Sequence, residues 1–387
     1  MLRICNLDLN TIVDDKKKYS IISKIFDLEN LHSFIKDQPF YPEWREDIER
    51  MVLYRAAHGT VAIEGSDVKL DEMDNVAQSK LLKSDREKEP KNALKAYEFI
   101  KEWSFNNKNN PISEGVISQI HTTLTRDINY YLNDPGKYRD QKVSFGDPRQ
   151  ESVLKNRFEV IDEMEKVVKF INLRTTDSSD MAFWTIPKAV ITHYLITRVH
   201  PFIDGNGRVA RTVESLILHH LGDFEPYCFP STAEFYYKER KKYMELLRQT
   251  DDTGDLIPLV LFAIQGLHDN LSKTKKHMLD KITQTLIMDY SHQLRRNKKL
   301  LKRQTALLEI MFDLDPMLMK EFSQHPYIKG LYYERTPYTE KRDIEKLIKY
   351  KLLKIDKETK KISVNWDALK QLTFRLNSIP HRPEIKL

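Results

Sequence analysis

Apolar side chains recur at intervals of three and four residues through most of the first 270 positions of this 387-residue chain. That period places them on one face of a helix, so it predicts amphipathic α-helices rather than strands. Glycine supplies only 11 residues, which also favours helix over glycine-rich β structure. We therefore expect a mainly α protein, with helices at Glu43–Gly59, Asn92–Phe105, Ser113–Leu124, Val153–Asn172, Trp184–Arg198, Arg208–Leu221 and Glu239–Gln249.

One segment of this region departs from the helical period. Val143, Ser144 and Phe145 alternate between apolar and polar character, and the Gly-Asp-Pro that follows them has the composition of a turn. Lys142–Asp147 is therefore predicted to form a short β-hairpin.

The last part of the chain has a different order of elements. Helices are predicted at Leu307–Phe312 and Thr339–Tyr350, and strands at Leu352–Ile355 and Ile362–Val364 with a polar turn, Asp356–Thr359, between them. Helices followed by a two-stranded hairpin favour a winged helix-turn-helix domain.

Net charge divides the chain in the same place. Residues 271–387 contain 26 Lys and Arg against 14 Asp and Glu, a net charge of +12, which leaves 37 against 43, or −6, for residues 1–270. Such asymmetry is typical of a nucleic-acid or acidic-partner surface, although a solvated lysine-rich helix face would also produce it. We expect a helical region at 1–110, a core domain at 111–270, one long connecting helix at 271–302 and the winged helix at 303–387.

Composition also excludes several classes of protein. The longest strongly apolar stretch, Leu256–Ile264, is far shorter than the roughly 18 to 20 residues that a membrane span needs. Three aspartates among the first 15 residues do not fit a signal peptide, so we expect a cytoplasmic protein with no membrane partner. The two cysteines, Cys5 and Cys228, supply neither a disulfide framework nor a four-thiolate zinc site.

The densest group of polar residues is the stretch His200–Arg211, between two predicted helices. Gly205 and Gly207 free the backbone for a tight turn that bares N–H groups at the start of the second helix, where phosphate oxygens bind readily. Arg208 and Arg211 are three apart, so they lie on one helix face and can hold further phosphates.

Two other side chains of this stretch have acid–base or metal-binding character. Asp204 supplies a carboxylate of the kind that Mg²⁺ takes when phosphates and water complete its shell. His200 is the obvious general base, since an imidazole is neutral over much of the physiological range. By contrast, His121, His193, His219 and His220 have no metal-ligand spacing and are interpreted as core or surface histidines.

The same stretch also satisfies the dinucleotide-binding pattern G-x-G-x-x-[GA] between Gly205 and Ala210. A dinucleotide-binding turn needs a buried strand before it and a βαβ unit around it, whereas a helix and then His-Pro-Phe precede this one. We therefore reject that interpretation.

His200–Arg211, with the sequence HPFIDGNGRVAR, resembles the Fic-domain signature HPFx[DE]GNGRxxR at every defined position. Fic domains are helical, and most transfer AMP from ATP to a hydroxyl side chain of a target protein. The resemblance implies that His200 takes the proton of a Ser, Thr or Tyr hydroxyl of the target, and that Asp204 binds Mg²⁺.

The remaining positions of the signature imply the ATP site. Gly205, Asn206 and Gly207 correspond to the anion hole, with Asn206 on the α-phosphate, while Arg208 and Arg211 correspond to contacts with the β- and γ-phosphates. Val209 and Ala210, between the two arginines, are placed in the same ATP site.

A second motif lies upstream. Thr60–Gly65, with the sequence TVAIEG, resembles the family's inhibitory motif [ST]xxxE[GN] in its N-terminal position. Thr60 and Glu64 are four apart and therefore share one helix face. The resemblance implies that Glu64 pairs with Arg211 and displaces the γ-phosphate, so that bound ATP is presented wrongly.

Two further stretches extend the resemblance. Pro135–Arg139 with Val143, Ser144, Phe145 and Gly146 resembles the Fic flap, which aligns the target segment as an added strand. Tyr236 and Tyr237 fall where Fic proteins often contact the nucleoside, although ordinary helix packing explains either tyrosine as well.

The C-terminal segment Tyr338–Leu347 resembles the recognition helix of winged-helix proteins, with Lys351–Lys361 as the wing. It implies either DNA binding or protein docking for dimerisation or target choice. Glu340, Asp343 and Glu345 weaken the DNA alternative, because phosphates repel carboxylates.

The resemblance therefore implies a protein adenylyltransferase that uses ATP and Mg²⁺, modifies a protein target or itself, and is autoinhibited by Glu64. Glu64 could also orient water for removal of AMP. The competing interpretations are a DNA-binding regulator whose Fic domain senses nucleotide, and an enzyme that transfers another phosphate-linked group. The intact glycines at 205 and 207 favour AMP, since kinase-like members depart from GNGR.

Overall fold

The computed structural model describes residues 15–38, 41–79, 84–129, 132, 134–145, 147–151, 156–173, 181–222, 224 and 228–367. The chain divides into two compact units, Met1–Lys275 and Lys276–Leu387. Each unit has its own hydrophobic core.

The first unit is built almost wholly of helices, as the apolar period predicts. Its helices are α1 (Asp15–Lys36), α2 (Pro42–Ala62), α3 (Met73–Gln78), α4 (Asp85–Asn106), α5 (Glu114–Leu124), α6 (Arg157–Ile171), α7 (Met181–Val199), α8 (Asn206–Leu221), α9 (Ala233–Lys238) and α10 (Arg240–Thr253), with a short 3₁₀ turn at Leu70–Glu72.

Helix α8 lies at the centre of this unit and packs against α7, α4 and α5. Every residue from Val209 to Leu218 is buried, including the charged side chains of Arg211 and Glu214. Burial of charge is costly unless each group is paired, so the polar side chains on α8 must find their partners inside the protein.

The predicted hairpin is present as two antiparallel strands, β1 (Ser144–Phe145) and β2 (Asp147–Glu151). Ser144 pairs with Glu151 and Phe145 with Asp147. The second strand therefore continues beyond the predicted end at Asp147. Gly146, which was placed in the turn, lies outside the described residues.

The predicted connecting helix has different bounds from those expected. Helix α11 covers Ile257–Arg296 and so begins well before residue 271. Pro258 lies in its first turn, where the missing N–H has no helical partner to lose. Asp255 accepts the backbone N–H of Ile257 at 3.0 Å and caps this start.

The second unit contains helices α12 (Lys302–Phe312), α13 (Met319–Phe322), α14 (Pro326–Leu331) and α15 (Pro337–Lys349) and strands β3 (Met317–Leu318), β4 (Leu353–Ile355) and β5 (Lys361–Val364). The strands form an antiparallel sheet in the order β3-β5-β4. The predicted β4–β5 hairpin after the helix at 337–349 is thus present, while a winged-helix function stays a prediction.

Asp343 on α15 is fully buried in this second core. Its carboxylate accepts hydrogen bonds from Arg303 Nε at 2.7 Å, Gln304 Nε2 at 2.7 Å and Tyr332 Oη at 3.1 Å. Three donors satisfy the buried charge, so Asp343 holds α15 to α12 rather than facing a partner. No helix among the described residues combines the length and the apolar character needed to cross a membrane.

Candidate active site

The stretch 200–211 forms a turn between α7 and α8. His200 follows the last residue of α7 with a left-handed φ of 49°, and Gly205 precedes α8 with a φ of 77°. A side chain at 205 would be strained, which explains why a glycine stands there. The backbone N–H groups at the start of α8 have no acceptors within their own helix and face this turn.

Asn206 holds the turn from its own side chain. Its Oδ1 accepts the backbone N–H of Phe202 at 2.8 Å, and its Nδ2 donates to the Phe202 carbonyl at 2.8 Å. The side-chain amide is therefore occupied within the turn. A contact between Asn206 and the α-phosphate stays a prediction.

His121 on α5 packs against the same turn. Its ring stacks on Phe202 with centroids 3.7 Å apart, and its Nδ1 accepts the backbone N–H of Gly136 at 2.8 Å. Because Nδ1 accepts, Nε2 carries the proton and donates to the Asp204 carbonyl at 3.1 Å. Burial lowers the pKa of His121 to about 4, so it is neutral in these contacts.

His200 is held by a buried arginine. Arg139, only 2% exposed, donates from Nε to the His200 carbonyl at 2.6 Å and from Nη2 to the Val199 carbonyl at 3.2 Å. Its backbone N–H donates to the Pro201 carbonyl at 2.9 Å. These bonds stabilise the left-handed backbone at His200, a conformation that costs energy in a residue other than glycine.

The His200 imidazole is half-buried, and burial lowers its pKa to about 4. The ring is therefore neutral at physiological pH and has a nitrogen lone pair available to accept a proton. This protonation state is the one that a general base requires.

Arg208 and Asp204 form an ion pair at the rim of the turn. Arg208 Nη2 lies 2.7 Å from Asp204 Oδ1, and its Nη1 lies 3.5 Å from Glu89 Oε1 on α4. The Arg208 side chain is 5% exposed, while that of Asp204 is 45% exposed. Asp204 thus keeps carboxylate surface open to the turn.

Arg211 is bound by the predicted inhibitory residues. Its Nε donates to Thr60 Oγ1 at 2.9 Å, and its Nη2 donates to the Thr60 carbonyl at 2.8 Å and to Glu64 Oε1 at 2.6 Å. The two contacts with Thr60 are buried, and the contact with Glu64 is partly buried. The end of α2 and the middle of α8 are therefore joined through one guanidinium.

Electrostatics favour this pair. Burial opposes ionisation of Glu64 and is the largest single effect, but the charge and hydrogen bond of Arg211, together with the charges of Arg208 and Arg240, outweigh it and lower the pKa of the carboxyl below its usual value. Gly207 leaves the space that the pair needs, because a Cβ built on it would lie 2.5 Å from Glu64 Oε1 and 3.0 Å from Arg211 Nη1. A larger residue at 207 would force the carboxylate or the guanidinium to move.

Residues 111–218 match the sequence profile of the Fic/DOC family. A segment of 106 residues is 35% identical to protein adenylyltransferase fic-1 of Caenorhabditis briggsae, and one of 102 residues is 30% identical to protein adenylyltransferase Fic of Nematostella vectensis. The chain contains a Fic/DOC domain. The first match covers 27% of this chain and 18% of the relative, so the chain spans under a fifth of that relative's length.

Solved structures show the same fold. A Fic family protein from Desulfovibrio desulfuricans G20 superposes with a TM-score of 0.56 at 16% identity, covering 91% of this chain and 97% of that one. A fragment of Fic-1 from Caenorhabditis elegans superposes with a TM-score of 0.55 at 21% identity, covering 67% and 73%. The fold prediction of a helical Fic domain is thereby confirmed.

Three of the predicted ATP-site residues are buried in the core. Val209 and Ala210 on α8 are wholly buried. Tyr236 is also wholly buried, and its ring stacks on Tyr243 and Phe262. The roles of these three residues in ATP binding stay predictions.

Tyr237, by contrast, has an exposed ring. It is 39% exposed, and its ring meets His58 edge-on with centroids 5.5 Å apart. Of the predicted flap residues, Ser144 and Phe145 form β1, and Val143 comes directly before that strand. Their roles in substrate binding stay predictions.

Three residues of the site were given no role from the sequence. Arg139 fixes His200, Arg240 donates from Nε to the Ile63 carbonyl at 3.0 Å and so holds the end of α2, and the buried Tyr243 lies with its Oη 2.8 Å from His193 Nε2. Each lies far from its partner in the sequence. Only the match of Pro135–Arg139 to the flap pointed towards one of them.

Proposed function

We propose that this chain is a protein adenylyltransferase that transfers AMP from ATP to a Ser, Thr or Tyr hydroxyl of a target protein or of itself, and that Glu64 holds it inactive. The observation that carries this proposal is the pairing of Arg211 with Thr60 and Glu64 within a complete Fic signature. The adenylyltransferase names of the relatives support the transferred group.

The proposed reaction joins the target oxygen to the α-phosphorus of ATP and breaks the bond from that phosphorus to the oxygen leading to the β-phosphate. Pyrophosphate leaves, and the hydroxyl proton passes to the neutral ring of His200. Reactions of this type depend on positioning and on stabilising charge, which the N-terminus of α8 and the two arginines supply.

Mg²⁺ would neutralise phosphate charge during this transfer. Asp204 is the residue that fits it, since its carboxylate is 45% exposed and Mg²⁺ commonly takes one protein carboxylate with phosphate and water. No group of three metal-binding side chains occurs in the part of the chain that the structure describes. Because Asp204 already pairs with Arg208, it must release that arginine or share its carboxylate oxygens between Arg208 and the ion when Mg²⁺ binds.

Inhibition follows from the occupancy of Arg211. A guanidinium that already holds a carboxylate at 2.6 Å cannot give the same donor to a γ-phosphate. ATP bound without that contact would present its α-phosphate wrongly to His200. Movement of the C-terminal turn of α2 would free Arg211 and start the reaction.

The target segment has a backbone edge to pair with. Within the described residues, β1 pairs with β2 alone, so its other edge is free for an added strand of the target. Main-chain pairing of this kind accepts varied sequences. It would bring a target hydroxyl to the turn without a fixed side-chain motif.

Transfer of label from α-labelled ATP to protein tests the proposal, with the chain itself as acceptor in the presence of Mg²⁺. We expect weak labelling of the wild type, at least tenfold more for Glu64→Gly, and none for Glu64→Gly with His200→Ala. Asp67→Gly is the matched control, because this nearby carboxylate is paired with Arg86 instead of Arg211.

Labelling of Asp67→Gly to the level of Glu64→Gly would show that loosening the segment, not freeing Arg211, causes activation. Absence of label from every folded variant that binds ATP would instead favour transfer of another group or nucleotide sensing. Removal of AMP is tested with the labelled product. If Glu64 orients water, the wild type should release the label and Glu64→Ala should not. Equal release by the two proteins would overturn a role for Glu64 in removing AMP.

A further inference from the structure

Helix α2, which leads to Glu64, carries a buried arginine on the face that packs against α9. Gly59 marks this face, because a Cβ built on it would clash with the backbone of Glu234. Arg55 is four residues before Gly59 and therefore lies on the same face of the helix. Arg55 is only 7% exposed. The packing of α2 against α9 thus takes a full positive charge out of water.

The Arg55 guanidinium has no partner for its charge in the part of the chain that the structure describes. No salt bridge joins it to a carboxylate, and its buried Nε donates to no acceptor. Burial lowers the pKa of Arg55, since the attraction of Glu234 and Asp269 does not make up for the lost hydration. The group still keeps its proton, because arginine is not deprotonated in proteins.

The carboxylate that α9 presents at this interface is already taken. Glu234 is 8% exposed and binds Lys238 Nζ through Oε1 at 2.8 Å and Lys273 Nζ through Oε2 at 2.9 Å. Lys273 also pairs with Asp269 at 2.5 Å. Two lysines therefore use both oxygens of Glu234 and leave Arg55 without an ion pair. A buried charge in this condition is strongly unfavourable, because no contact replaces its hydration.

We propose that Arg55 weakens the packing of α2 against α9 and so makes inhibition easy to reverse, because its guanidinium regains water when α2 leaves α9. This inference rests on the proposed function. Glu64 is joined to the helix through its backbone N–H, which donates to the Val61 carbonyl at 3.1 Å. Displacement of α2 therefore hydrates Arg55 and withdraws Glu64 together. The contacts of Arg211 with the end of α2 oppose this displacement, and the buried charge of Arg55 favours it.

Amide hydrogen exchange of the full chain without nucleotide tests the inference through Arg55→Met, which keeps an unbranched side chain and removes its charge. We expect the amides of residues 52–62 to exchange about tenfold more slowly than in the wild type, the effect of removing an unsatisfied buried charge. The weak labelling of the wild type from α-labelled ATP should fall by a similar factor. In the Glu64→Gly background the same substitution should leave labelling unchanged, because Arg211 is already free of Glu64.

Arg50→Met is the matched control. Arg50 is on the same helix, but its side chain is 54% exposed and its Nη2 lies 2.8 Å from Asp47 Oδ1. This variant should leave exchange and labelling at the wild-type level. Arg55→Lys keeps a positive charge at the buried position, so it should exchange no more slowly than the wild type. Equal slowing by Arg55→Met and Arg55→Lys would show that shape rather than charge sets the rate, and would overturn the inference.

Two further results would contradict the role of Arg55. Faster exchange in Arg55→Met would show that attraction to carboxylates holds α2 in place. Slower exchange with unchanged labelling would show that the buried charge does not govern inhibition. Arg55→Gln covers the case in which Arg55→Met does not fold: it removes the charge and should slow exchange to a smaller extent, and an unchanged rate would contradict the inference.

Failure of this inference is distinguishable from failure of the proposed function, because the exchange measurement needs neither ATP nor turnover. If Glu64→Gly is labelled but Arg55→Met does not slow exchange, only the role of Arg55 falls. If folded Glu64→Gly is never labelled, the proposed function falls and the release of inhibition with it, whatever the exchange rates.

Discussion

At the scale of single residues, His121 joins two loops through one neutral imidazole. Its pKa of about 4 in the folded protein lies below the usual 6.5, because burial disfavours the charged ring. Between these values the unfolded chain binds more protons than the folded one. The stability that His121 contributes is therefore complete above pH 6.5 and is lost as the pH falls towards 4.

Chemical denaturation of wild type and His121→Gln at several pH values measures this loss. We expect the difference in free energy of unfolding between the two proteins to shrink by on the order of 3 kcal/mol from pH 7 to pH 4. His268→Gln, at an exposed histidine, should run parallel to the wild type throughout. Parallel curves for His121→Gln as well would refute the assigned role.

The turn of the candidate site could be predicted because its residues are continuous in the sequence. His200 to Arg211 contain both the turn and the start of α8 within one short stretch, and local rules describe both. Arg139 and Arg240 escaped prediction because their hydrogen bonds join residues that are far apart in the sequence. Helical spacing likewise does not show that Tyr236 is buried while the neighbouring Tyr237 is exposed.

At the scale of elements, the packing of α2 against α9 controls where Thr60 and Glu64 lie. Gly59 makes this approach possible, because a Cβ built on it would clash with the backbone of Glu234 and Ala233. Thr60 follows directly, and Glu64 lies just beyond the end of the same helix. The position of the Glu64 carboxylate is therefore set by backbone packing as well as by its ion pair with Arg211.

Gly59→Ala should separate the two helices and weaken inhibition. We expect the free energy of unfolding to fall by about 1–2 kcal/mol, since overpacking exceeds the gain in helix propensity. Labelling from α-labelled ATP should rise above wild type but stay below Glu64→Gly. Both quantities are measured on the same purified protein.

Gly115→Ala is the control, because the nearest atom to its added Cβ is Ser113 Oγ at an ordinary 3.5 Å. This substitution in α5 should stabilise slightly and leave labelling at the wild-type level. Equal stability and equal labelling of the two alanine variants would show that the close approach at Gly59 does not govern Glu64.

Helix positions were predicted well from periodicity, whereas several bounds were not. The predicted end at Gly59 falls short of the true end of α2 at Ala62, because the helix continues into the turn that places Glu64. Helix α9, with only six residues, is too short for an apolar period to be recognised. Tertiary packing against α2, not local preference, sustains it.

At the scale of the whole molecule, charge and packing divide the chain at similar places. The compact units meet at Lys275 and Lys276, close to the point after which the net charge is +12. The domain bounds drawn from composition stay predictions. Composition could not reveal that α11 contributes residues to both units, because the apolar period of a helix continues across the boundary.

Two compact units predict two unfolding transitions in calorimetry, each sensitive to its own perturbation. Asp343→Asn removes a buried charge from three donors in the second unit and should lower one midpoint by several degrees, the effect of about 2–4 kcal/mol. ATP, added with Mg²⁺ to Glu64→Gly at about a hundred times the dissociation constant of ATP, should stabilise the first unit by about 2.7 kcal/mol and so raise the midpoint of the other transition. A single transition that moves with both perturbations would show that the continuous helix couples the units into one cooperative whole.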